Sequence, residues 1–162
     1  TNFIFMRFAR LDFYKGPTGP ITGPPREVNV EVVRLDSRLD AIVPSNLKVY
    51  KLAENFTWVE GPVWHREGHY LLFSDIPSNT VFKWKEGNGV SPFLNPSGYS
   101  GSAPFDGMEP GSNGLTFDAA GRLVLEHSRR RASPESAGTL RRTRVLTAGD
   151  SALSFYTWIS TT

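Results

Sequence analysis

The sequence predicts an all-β protein, and three observations carry that expectation. The 162 residues include 15 glycines and 12 prolines, a turn-rich composition. Short stretches, residues 47–52 and Thr80–Lys85 among them, alternate with the period of two that a strand requires. Turn signals such as Glu86-Gly-Asn-Gly89 separate them at spacings that suit hairpins. At 39% hydrophobic and 12% aromatic, a chain of this length can bury one domain core.

Along the chain, residues 14–26 hold Pro17, Pro20, Pro24 and Pro25 and read as an extended linker or wrapping arm. Residues 27–33 are β-branched and alternate, which predicts a strand, and 34–41 suit a short helical turn. From residue 46 to 94 the pattern is strand, turn, strand, turn: 47–52, 62–65, 70–74, 80–85 and 90–94, an antiparallel meander. Residues 95–111 are rich in Gly, Pro and Ser and read as a long loop. Strand pattern returns at 114–117 and 122–126 around Asp118-Ala-Ala-Gly121. Residues 128–144 then bring six arginines and one large apolar residue, Leu140, and predict a solvated, disordered tail. Residues 152–159 are apolar but isolated.

A repeat organises the middle of the chain. Shifted forward by 53 residues, from 60 to 113, the segment 60–72 falls without gaps on 113–125. Gly61 meets Gly114, Trp64 meets Phe117, Gly68 meets Gly121, and Tyr70-Leu-Leu72 meets Leu123-Val-Leu125. Repeats of about 40–50 residues with four short strands each are the pattern of a β-propeller. Glu60 and Asn113 hold the same place in their repeats, just before the first strand, and so are expected at the same mouth of a central tunnel. A carboxylate and an amide oxygen are hard donors suited to Ca²⁺ or Mg²⁺. The same residues also suit structural roles, Glu60 capping a turn and Asn113 standing in a left-handed turn before Gly114.

Glu60-Gly-Pro-Val-Trp64, Leu72-Phe-Ser-Asp75, Val81-Phe-Lys-Trp84 and Ser112-Asn-Gly-Leu-Thr-Phe-Asp118, with Gly121-Arg-Leu after them, resemble the gluconolactonase family, which includes regucalcin (senescence marker protein). The resemblance spans residues 39–127. It implies a six-bladed propeller, of which this chain holds about two blades, and a divalent cation in the tunnel: Ca²⁺, or another such as Mg²⁺ or Zn²⁺. It maps two of the metal ligands onto Glu60 and Asn113. It further implies hydrolysis of a sugar lactone, with the metal polarising the ester carbonyl for attack by water. His127, at the end of its strand, is a candidate substrate contact. The family's later Asn and Asp ligands have no counterpart here, since no Asn follows Asn113 and Asp118 and Asp150 lie in other contexts. The catalytic base is not legible.

These readings divide the chain into an N-terminal arm (1–38), a partial propeller (39–127) and a divergent Arg-rich tail (128–162). The abrupt loss of pattern after His127 suggests a truncated or frame-shifted copy of a calcium-dependent lactonase. The alternative is a non-catalytic β-propeller fragment that acts as an interaction module and self-associates through open strand edges. A small lactone is the expected partner. The net charge of +2 gives no strong field for nucleic acid, and no apolar run nears the roughly 18 residues of a membrane span. No secretory signal is visible, and without cysteine the redox compartment is open, leaving cytoplasmic, periplasmic and secreted locations all compatible. His65 and His69 are expected as turn or surface histidines, because Gly68 argues against the helix that would pair them.

Overall fold

A computed structural model describes residues 21–128 and 133–159, and the expectations for 1–20 and for Arg129, Arg130 and Arg131 lie outside those residues. Among the described residues the secondary structure is β with one 3-10 turn, Ser37–Ala41, capped by the Asp36 side chain accepting from Arg38 N–H. All strand pairs are antiparallel. The all-β class therefore stands.

β1 (Ile21–Val28) and β2 (Val49–Glu54) form a two-stranded sheet. This corrects two expectations. The arm's Pro24 and Pro25 lie in a strand, where a register irregularity between Thr22 and Arg26 accommodates residues that cannot donate to the ladder. The strand expected at 27–33 starts earlier and stops at Val28, which pairs with Val49, the first residue of β2. Past that point the ladder has no partner, and Val30 and Val33 are exposed.

β3 (Val59–His65), β4 (Tyr70–Asp75), β5 (Thr80–Lys85) and β6 (Gly89–Leu94) form a four-stranded meander in sequence order. Tight turns explain it: His69 takes φ 50° at the first, Asn79 φ 53° at the second and Gly87 φ 77° at the third. The third sheet runs β7 (Leu115–Phe117), β8 (Leu123–Ser128), β11 (Ser151–Trp158), β10 (Leu140–Ala148), β9 (Ser136–Ala137). Part of the expected disordered tail is thus a hairpin whose second strand pairs with β8, a further correction. Alternation within β11 accounts for it: Ala152, Ser154 and Tyr156 turn inward while Leu153 faces out. Arg141, Arg142 and Arg144 do not enter the core. Arg144 lies over the Phe155 ring at 5.8 Å, and Arg142 reaches back to the Ser133 hydroxyl at 2.8 Å.

The core lies between the second and third sheets. Leu72, Val81 and Leu94 from one meet Leu115, Leu123, Leu125, Leu140 and Tyr156 from the other. Burial of each such leucine contributes about 1.5–3 kcal/mol. His65, Tyr70, Phe117 and Trp158 extend this interface in edge and stacked ring contacts.

Candidate functional site

The segments that carry Glu60 and Asn113 approach each other through the backbone at Gly61. Directly paired residues share a face of a sheet, so Glu60, paired with Ser74, leaves β3 on the side that holds the core. Between Glu60 and Val63 the register shifts by one residue, a β-bulge at Gly61, whose φ is +59°. A Cβ at Gly61 would stand 2.5 Å from the Asn113 carbonyl oxygen and 2.7 Å from the Leu115 nitrogen. Glycine is what lets the two strands approach.

The bulge also shows how the repeat works in three dimensions. Val63 pairs with Leu72, and Leu115 with Leu125, so within the first strand Leu115 answers to Val63 and Phe117 to His65 rather than to Trp64. The residue added at the bulge is offset in the following turn, which has four residues (66–69) against five (118–122) in the second copy. Glu60 and Asn113 remain equivalent.

A buried hydroxyl chain ties their neighbours. Ser74, the strand partner of Glu60, meets Ser112 Oγ at 3.0 Å, and Ser112 N–H donates to Ser97 Oγ at 3.1 Å; all three serines are fully buried. Asn79 fastens the long loop before them: its Oδ1 accepts from Ser97 and Gly98 N–H and its Nδ2 donates to the Tyr99 carbonyl. Asn113 N–H donates to the Glu126 carbonyl at 2.9 Å. The sequence marks 75–79 as a turn and holds Ser74 and Ser112 within its motifs, but the hydrogen bonds that join them to Ser97 were not legible there.

Glu60 is exposed, and one carboxylate oxygen accepts from the Trp58 indole N–H at 3.1 Å. Asn113 is half-buried and does not have positive φ, so the left-handed turn role is not what it performs. Among the described residues, the second Glu60 oxygen and the Asn113 side-chain amide make no hydrogen bond within the chain. Two oxygen donors on adjoining strand ends fit a hard cation. No group of three or more His, Cys, Asp or Glu gathers at one place among the described residues.

His127 is a buried member of a polar chain. It is 3% exposed; Nδ1 lies 3.0 Å from the Ser128 carbonyl and Nε2 2.8 Å from Ser154 Oγ. A carbonyl only accepts, so Nδ1 carries the proton and Nε2 accepts from Ser154. Ser133 and then Arg142 continue the chain, locking the β10–β11 hairpin to β8. His65 closes β3 and braces the turn after it, with Nδ1 accepting from Gly68 N–H at 2.8 Å and its ring stacked on Tyr70. Among the described residues no helix is long and apolar enough to cross a membrane.

No protein-family profile matches the chain, and no solved structure matches it. Over 103 residues, 63% of this chain, it is 40% identical to a gluconolactonase of Zymomonas mobilis subsp. mobilis, and the chain covers 29% of that relative's length. The sequence thus carries a partial gluconolactonase-like match, the resemblance that Glu60-Gly-Pro and Ser112-Asn-Gly imply.

Proposed function

We propose that the chain is a portion of a sugar-lactone hydrolase in which Glu60 and Asn113 hold a divalent cation, calcium first, at the tunnel mouth of a β-propeller whose adjoining blades are the second and third sheets. The observation that carries this reading is the approach of Gly61 to the Asn113 backbone in a chain 40% identical to a gluconolactonase. When bound there, such a cation supplies electrostatic stabilisation for the negative charge that builds on the lactone carbonyl oxygen as water adds and the ring C–O bond opens to a hydroxy acid. Glu60 contributes charge and one oxygen ligand, Asn113 a neutral one, and the Gly61 bulge sets their spacing. Calcium takes about 6–8 oxygens, so donors beyond these two would be needed to complete the set.

The test pairs calorimetry with a lactone-hydrolysis assay. Calcium binding and chelator-sensitive hydrolysis of an aldonolactone are the expected results, with both lowered by Glu60→Gln. Hydrolysis that persists in chelator and in Glu60→Gln contradicts the reading.

One observation favours a second reading, a non-catalytic interaction module. The outer face of the four-stranded sheet carries Trp64, Leu71, Trp84 and Val90 in one cross-strand row, and Trp64 is 47% exposed. A sheet face of this kind is built to be covered.

A further inference from the structure

We infer that Trp58 is a positioning residue of the cation site, its indole N–H holding one oxygen of Glu60 so that the other is presented to the ion. The inference rests on the reading of Glu60 as a cation ligand. Trp58 lies in the bend just before β3, and its indole N–H donates to a Glu60 carboxylate oxygen at 3.1 Å.

Trp58 is itself clamped. Its backbone N–H and that of Thr57 both donate to Asp75 Oδ1, at 2.9 and 3.2 Å, and its carbonyl accepts from Ile76 N–H at 3.1 Å. Asp75 is 4% exposed and pairs with Val59 across the ladder, so the clamp is part of the sheet rather than a surface contact. An exposed glutamate otherwise samples many rotamers, and ordering it on binding costs affinity. A fixed donor on one oxygen removes part of that cost and selects single-oxygen ligation over a bidentate grip. Hydrogen-bond partners of metal ligands typically change affinity by about 10–100-fold when removed.

The experiment titrates the full chain with calcium chloride by calorimetry, in the unaltered sequence and in Trp58→Phe. In parallel it follows the Trp58 indole N–H resonance of the ¹⁵N-labelled unaltered chain. Calcium affinity about 10-fold weaker in Trp58→Phe is expected, together with displacement of the indole resonance as calcium binds. Equal affinity in the two chains overturns the role, as does a stationary indole resonance while calcium heat is released; the second readout decides even where Trp58→Phe does not fold. Absence of calcium heat from the unaltered chain overturns the cation reading of Glu60 itself, and the orienting role with it.

Discussion

Gly61 is the residue on which the spacing of the site depends. At φ +59° any side chain costs about 1–2 kcal/mol, and the backbone atoms 2.5 and 2.7 Å from a Cβ have no room to yield. Gly61→Ala is therefore expected to lower the unfolding free energy by at least that amount, read as a lower denaturant midpoint, and to weaken cation binding, because β3 must move away from β7. Gly114, whose Cβ would meet Glu126 Cβ at 3.7 Å, tolerates alanine far better, and equal losses at both positions would contradict the account. The equivalence of positions 60 and 113 was legible because the repeat aligns them. Trp58 and Asp75 were not, since their roles depend on hydrogen bonds that no spacing encodes. The burial of His127 was not legible, because strand-end position says nothing about which side of the sheet the neighbouring hairpin will cover.

At the scale of elements, strands β3 to β8 follow the alternation and turn residues closely, because each is paired with a near neighbour in sequence. The β10–β11 hairpin escaped notice because arginines crowd its first strand; in the structure Arg141 and Arg144 are exposed, and the alternation that matters lies in Ala152, Ser154 and Tyr156. The β7–β8 turn has its own staple. Asp118 accepts from the Arg122 and Ala120 backbone N–H groups and from the Arg122 guanidinium, at 2.7–3.0 Å. The backbone bond from Arg122 is the main reason its carboxyl is held below the usual carboxylate value. A depressed folded value means that the stabilisation is present above the ordinary carboxylate range and is lost as pH falls through the folded value. Amide exchange at Ala120 and Arg122 is expected to quicken on acidification through that window in the unaltered chain. Asp118→Asn should show fast exchange already at neutral pH, and an unchanged exchange profile in that variant would contradict the staple.

At the scale of the molecule, the core is shared between two sheets and other faces are open. Phe56 covers one end of the outer face of the meander, with its ring 5.0 Å from Phe73 and 5.3 Å from Phe82, whereas the end bearing Trp64 and Trp84 is a cleft of about 470 Å³. If this face is an interaction surface, sedimentation velocity shows a size that rises with concentration and falls back in Trp64→Ser; a compact monomer at all concentrations contradicts the interaction-module reading.

The cation site is the central claim, and terbium luminescence tests it most directly. Tb³⁺ takes oxygen ligands as Ca²⁺ does and emits when a neighbouring indole is excited, and Trp58 lies hydrogen-bonded to Glu60. Tryptophan excitation is predicted to give terbium emission that saturates, is displaced by calcium and is lost in both Glu60→Gln and Asn113→Ala. Emission unaltered by either substitution, or no emission from the unaltered chain, would contradict the account.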